Sequence, residues 1–416
     1  MGRPAHRATT AHLQCLYPFM AGGGLGSEAK YIGRSNSGSF CFDPWELYPK
    51  YLTNPNLLVS GQLGRGKSAL VKTLVLRGAL FDRRAAVLDP KGEYGPLAAA
   101  LGVEPIRLSA GKSVRLNPLD AGPGAEDLGP QEVQRRRLML LQSIATAALK
   151  RDLHPIERAA CRIALVTACA GEAVPTLSMV ATALMDPSRA GAGDIRTTPA
   201  ELARSSYDIA LELRRLCDGD LGGMFDGTTT VEVDWDGPLV VLDLSQFLED
   251  DGLAILMACA TAWIQAAVSR PSYKHRYIVL DEAWRLLNHL PTGRWLRSSL
   301  KLARQFGVSN VLVIHRLTDL ASAGEASSEQ VQLAKGLLSD TETRIIYGHA
   351  KGEVPEMADA LGLTDGDRDR LPGLETANAI WKVGRTSHDV THEMTEYEQS
   401  ITYTDSRMAP MPTTAA

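Results

Sequence analysis

The chain has 416 residues, 44% hydrophobic and 22% charged, with a formal net charge of −4. That length suits two or three domains or subdomains, and the near-neutral balance excludes a globally basic nucleic-acid binder, so any DNA contact has to be local. Six cysteines (Cys15, Cys41, Cys161, Cys169, Cys217 and Cys259) show no CxxC or Cys/His ligand spacing and read as reduced residues of a cytoplasmic protein.

Residues 1–42 are expected to form a peripheral N-terminal arm. Arg3, His6 and Arg7 are followed by no long apolar run before the glycines at 22–24, which argues against a signal peptide. YIGRSNSGSF, from Tyr31, suggests a turn or weak hairpin and not a packed element. The proline-rich stretch 43–56 reads either as a plain connector or as a segment that crosses a sheet edge or lines the mouth of the site that follows.

That site is GQLGRGKS, between an apolar run (Leu57, Leu58, Val59) and a helical one (Ala69 to Phe81). Strand, glycine loop and helix in this order, with Gly61, four residues, then Gly66-Lys67-Ser68, form the P-loop pattern. Gly61, Gly64 and Gly66 let backbone N–H groups approach phosphate oxygens, and the loop from Gly61 through Gln62, Leu63, Gly64, Arg65, Gly66, Lys67, Ser68 and Ala69 is the expected nucleotide cradle. Lys67 supplies charge to the β- and γ-phosphates and Ser68 a hydroxyl to Mg²⁺, while the helix turns its positive end toward the same anion.

Downstream, RAAVLDPKGEYGPL gives a short strand that ends at Asp89 and spills polar residues into a glycine loop, the place where parallel α/β sheets keep their chemistry. EPIRLS (104–109) is a further candidate strand. From about 125 to 235 the pattern turns helical: Val133, Leu138, Leu141, Ile144, Ala148 and Leu149 share one face, and three more helical stretches follow. This region is expected to be an all-α subdomain inserted into an α/β core, with Arg135, Arg136 and Arg137 on a solvated helix face. The sheet resumes at GPLVVLDLS (237–245). The uncharged stretch Leu253 to Val268 is too short for a bilayer and reads as a buried core helix.

RYIVLDEAW then runs an apolar strand into Asp281-Glu282, the Walker B arrangement. Asp281 is expected to hold the Mg²⁺ shell and Glu282 to deprotonate an attacking water, with the two carboxylates alternating in direction on the strand end. Adjacent Asp and Glu favour a hydrolysing ATPase over a GTP switch, and no Asn-Lys-x-Asp guanine-reading motif occurs. VSNVLVIHRL is the next buried strand. Its His315 is open to two readings, a γ-phosphate sensor or a plain strand-end residue. A helix from Glu329, a strand TETRIIYG holding Arg344, and NAIWKVG (378–384) complete the core to about 405. Residues 406–416 read as a disordered tail.

Taken together, NPNLLVSGQLGRGKSALVKTL, VLDPKGEYGPL, MFDGTTTVEV with VVLDLSQF, YIVLDEAWRLL, ARQFGVSNVLVIHRLTDL and TETRIIYG resemble the TraC class of ATPases of conjugative transfer and type IV secretion, within the FtsK–HerA group. The resemblance spans about Asp43 to Asp405. It implies a RecA-like core of the additional-strand type, ATP and Mg²⁺ as cofactors, a homo-hexameric ring, channel or coupling proteins as partners, and peripheral attachment at the inner membrane face. Residue by residue it implies phosphate binding at Gly61–Ser68, metal at Ser68 and Asp281, the base at Glu282, and a finger supplied to the neighbouring protomer by Arg344. Many relatives have Gln where this sequence has His315, and longer relatives carry a large N-terminal domain where this chain has about forty residues. Two other functions stay open: a DNA-translocating motor of the HerA or FtsK kind, and a scaffold that binds ATP without turnover.

Overall fold

A computed structural model of the protein describes residues 25–403 apart from 27, 110–113, 121–128, 172–173, 220–221, 248–252, 254–255, 258, 261–262, 265–274, 288–289 and 316–328. The chain begins with a hairpin, β1 (Lys30–Ser35) and β2 (Gly38–Phe42), and a short helix α1 (Pro44–Leu47). The P-loop strand β3 (Leu57–Ser60) leads into α2 (Lys67–Leu80), and β4 (Arg84–Asp89), α3 (Gly95–Ala100) and the two-residue β5 (Ile106–Arg107) follow. Helices α4 (Pro130–Leu149), α5 (Pro155–Gly171), α6 (Leu177–Met185), α7 (Arg189–Asp194), α8 (Pro199–Ser205) and α9 (Tyr207–Asp218) separate β5 from β6 (Leu239–Asp243). Then come β7 (Arg276–Leu280), α10 (Trp284–Leu287), α11 (Leu290–Leu302), β8 (Val308–Ile314), α12 (Glu329–Ser339) and β9 (Thr343–Ile346). The described chain closes with α13 (Val354–Leu361), α14 (Asp365–Arg370), β10 (Asn378–Val383), β11 (Thr386–His392) and α15 (Glu396–Thr402).

The eleven strands of the described residues form one sheet, in the order β2-β1-β11-β10-β9-β3-β8-β7-β4-β6-β5. From β9 to β5 the pairing is parallel, and β10, β11, β1 and β2 extend it antiparallel at one edge. The parallel strands are apolar on both faces because both are covered. Leu58, Leu312, Leu280, Leu88 and Leu242 belong to one hydrophobic cluster, and Val59, Val313, Val279, Val87 and Val241 to the other, as the two-residue period of a strand requires. The second face is packed by α2 through Leu70, Val71, Leu74 and Val75.

The first face is packed by the helices between β5 and β6. Leu141 and Ile144 of α4, Leu165 of α5, Val180 of α6 and Leu213 of α9 lie in the same cluster as the sheet leucines, so these helices share the core of the sheet. In the stretch from Leu253, the described residues Leu253, Leu256, Met257, Cys259, Ala260, Trp263 and Ile264 are helical and buried in that cluster, consistent with a core helix. Among the described residues no helix is long and apolar enough to cross a membrane.

One expectation is corrected, and one of the alternatives for 43–56 is set aside. The arm expected at 1–42 is, from Lys30 onward, part of the sheet: β1 pairs with both β2 and β11, and Phe40 and Phe42 meet Trp381 of β10 edge-on at 5.1 and 5.2 Å. Its glycines hide this, because a small residue is what the contact needs; a Cβ on Gly33 would stand 1.9 Å from the Thr391 carbonyl oxygen. The earlier residues of the arm, and the tail at 406–416, lie outside the described residues. The segment 43–56 does not line the nucleotide site. Asp43 caps α1 and pairs with buried Lys30 and with Arg83, while Trp45 stacks on His275 and meets Tyr277 edge-on, at the amino ends of the strands.

Candidate active site

Strands β3, β8, β7 and β4 are consecutive in the sheet, so whatever follows their carboxyl ends is delivered to one edge. Those followers are the P-loop, His315, Asp281-Glu282 and Lys91. The arrangement needs β8 to lie between the P-loop strand and the strand of the acidic pair. It does, with Ser60 opposite Ile314 and Leu280 opposite Leu312.

The P-loop backbone is set by close packing. A Cβ on Gly61 would come 2.5 Å from the Cβ of Tyr347, and Gly66, with φ of 102°, caps α2 without any side-chain acceptor. The N–H groups of the first turn of α2 therefore face the loop's concavity with no capping side chain to satisfy them, which suits an anion. The loop's outer side is clasped: the Gln62 N–H donates to the Gly348 carbonyl at 3.2 Å, the Ala377 N–H to the Arg65 carbonyl at 3.1 Å, and Arg65 to the Leu374 carbonyl at 3.0 Å. Lys67 is 4% exposed and folds back, donating to the carbonyls of Gly61 at 2.5 Å and Gln62 at 2.8 Å. Burial draws its pKa down to about 8, against the pull of Asp281.

Asp281 and Glu282 differ sharply. β7 ends at Leu280 and both acids lie in the turn before α10, where Glu282 has φ of 54°. The expected strand-type alternation therefore does not occur; a left-handed residue turns the second carboxylate. Oδ1 of Asp281 accepts from the Glu282 N–H at 3.0 Å, whereas Oδ2 is buried with no hydrogen-bond partner. Burial lifts the Asp281 pKa to about 6.

Glu282 is held on both oxygens. Oε1 accepts from His315 Nε2 at 2.8 Å and from the Lys91 ammonium, and Oε2 accepts from the Trp284 indole. Burial works to raise its pKa, but the hydrogen bonds from His315 and Lys91 and the Lys91 charge outweigh it and hold the carboxyl at about 2. The Lys91 loop is fixed by Asp89, which accepts from the N–H of Lys91 at 3.2 Å and of Tyr94 at 2.9 Å.

The sequence-derived residues Lys67, Ser68, Asp281, Glu282 and His315 thus meet at one edge. Arg344 does not. It pairs with Leu58, short of the strand end, and its guanidinium donates to the carbonyls of Thr341 at 3.1 Å, Leu361 at 2.7 Å and Leu338 at 2.8 Å. These lie at the C-terminal ends of α12 and α13, so in this chain the guanidinium is bonded as a staple between two helices and is not at the edge that holds the others. Sequence reasoning missed Lys91 and Trp284. Lys91 had a signal, the polar loop at the end of β4, but only the strand order shows that this loop faces Glu282.

The fold and this edge define the chain as having the P-loop NTPase fold of the additional-strand kind. The family model for the AAA-like domain matches residues 49–115. No curated protein matches the sequence at a significant level. Among solved structures, VirB4 of Thermoanaerobacter pseudethanolicus is similar with a TM-score of 0.73 at 19% identity, over 91% of this chain and 100% of that one. The plasmid coupling protein TrwB is similar in complex with the ATP analogue ADPNP (TM-score 0.60, 15% identity, 95% and 96% covered) and with ADP and Mg²⁺ (0.59, 16%, 94% and 93%).

Proposed function

We propose that the chain is a Mg²⁺-dependent ATPase that drives a conjugative or type IV secretion-like transfer system. The observation that carries this reading is the convergence of Lys67, Ser68, Asp281 and Glu282 on one sheet edge, with an anion-ready helix end on one side and an ionised carboxylate on the other. The phosphates of ATP lie in the loop from Gly61 to Ala69, where backbone N–H groups and Lys67 carry their charge. Lys67 exchanges two carbonyl contacts for phosphate oxygens, a trade between neutral and charged acceptors that favours the nucleotide. The unpartnered Oδ2 of Asp281 and the hydroxyl of Ser68 fit the hard oxygen shell of Mg²⁺, which would neutralise charge on the β- and γ-phosphates when bound. Glu282 orients and deprotonates the attacking water. The likeness in fold to VirB4 and TrwB supports the choice of a transfer motor within this chemistry.

On this reading the working form is a homo-hexameric ring, recruited to the cytoplasmic face of the membrane by channel or coupling proteins. ATP hydrolysis by size-fractionated protein, with and without DNA, tests it: Mg²⁺-dependent turnover indifferent to DNA supports the secretion motor, and strong stimulation by DNA moves the reading to a DNA translocator. Tight ATP binding without turnover would leave a scaffold.

A further inference from the structure

The proposed chemistry uses Lys67 for charge and Glu282 for proton transfer, and leaves a second ammonium in the same cleft with no task. That ammonium, on Lys91, pairs with the carboxylate that has to act on water. Together with His315 it fills the lone pairs of Oε1, and the Trp284 indole engages Oε2, so as arranged Glu282 has little capacity left to take a proton. The loop backbone is pinned by Asp89 and by the left-handed Gly92, whose missing Cβ would stand 3.0 Å from Ser245 Oγ. Lys91 can therefore change partners only by swinging its four-carbon stem, and its side chain keeps 24% of its surface exposed to do so. Lys67 and Asp281 both feel its charge, which puts all three in one field at the strand ends. A γ-phosphate there carries more negative charge than a single carboxylate and offers three oxygens, so it is the stronger acceptor for a mobile ammonium.

We propose that Lys91 reads the γ-phosphate: its ammonium moves from the Glu282 carboxylate to a γ-phosphate oxygen, and by leaving frees Glu282 to act on water. No bond is made or broken in this step; one ion pair replaces another. Lys91 is thus a positioning residue for the base and a ligand that tells a triphosphate from a diphosphate. The inference rests on the ATPase reading above.

The test uses the full chain with Mg²⁺ and either ADPNP or ADP, comparing wild type, Lys91→Met, Lys91→Arg and Trp284→Phe. Because Trp284 touches Glu282, its emission reports on that carboxylate, and Trp284→Phe identifies its share of the signal. Wild type should bind ADPNP more tightly than ADP and change its Trp284 emission with ADPNP alone. Lys91→Met should lose about tenfold or more of that preference while keeping its ADP affinity, which also certifies its fold, and should lose the emission response. Lys91→Arg, which keeps the charge, should recover part of both. An ADPNP preference and emission response that persist in Lys91→Met would overturn the inference and leave the ATPase reading standing. A wild type that binds neither nucleotide would overturn both.

Discussion

Glu282 and Asp281 are neighbours in sequence, yet their surroundings push them apart, one toward permanent ionisation at about 2 and the other up to about 6. That divergence separates their tasks. Glu282 is fully charged and held by donors; Asp281 is buried with an unsatisfied oxygen that only a cation or a proton completes. Glu282→Gln keeps the shape and most hydrogen bonds but removes the base, so ATP affinity should stay within a few-fold while turnover falls about a hundredfold or more. Loss of affinity with normal turnover of the bound fraction would show that the carboxylate binds and does not catalyse. Lys67→Ala removes the cation the loop is built around and should abolish hydrolysis and weaken ATP binding, read by calorimetry and steady-state rate. At this scale the sequence was largely legible, because the P-loop and the acidic pair are local patterns. The contacts of Glu282 with His315 and Lys91 were not, since those residues follow β8 and β4 and reach it only through the sheet, whereas Trp284 is a neighbour two residues on.

The elements show the same division between local and distant information. The apolar runs within β3 (Leu57–Ser60) and β7 (Arg276–Leu280) announce themselves, whereas β1 and β2 are masked by glycine and serine, and β5 has only two residues at the far edge. Arg344 illustrates the limit. A lone arginine on a strand looks available until α12 and α13 are placed, and then its donors are found to close both helices. Arg344→Ala should cost about 2 kcal/mol in unfolding free energy, by denaturant titration, with little change in turnover per folded molecule. A steep fall in turnover at unchanged stability would restore the finger.

His392, at the end of β11, supplies a pH dependence for the antiparallel edge. Burial, reinforced by Arg77, draws its pKa from 6.5 to about 4. The unfolded chain therefore binds more protons between those values, so stability is full above about pH 6.5 and declines as pH falls toward 4. His392→Gln should remove this dependence, so the wild-type-minus-variant difference in stability should change by up to roughly 3 kcal/mol across that window. Parallel curves for the two proteins would mean that His392 protonates without opening the edge.

At the scale of the whole molecule, the central strands β3, β8, β7 and β4 are buried along their length and their four ends hold one site, with the helices between β5 and β6 packed on one face. The general architecture was readable from the alternation of apolar strands and helices. The strand order was not, because β8 pairs with β3 across a long stretch of sequence, Leu57 lying opposite Val311, and so separates the P-loop strand from β7. If a ring is the working form, turnover per molecule should rise with protein concentration until the ring is saturated. The most direct measurement is therefore Mg²⁺-dependent ATP turnover by the purified, size-fractionated wild-type chain over a range of protein concentrations, with Glu282→Gln carried through the same series. The account predicts hydrolysis that rises faster than linearly with concentration and is lost in the variant; ATP bound tightly but not hydrolysed at any concentration, or hydrolysed equally by both proteins, would contradict it.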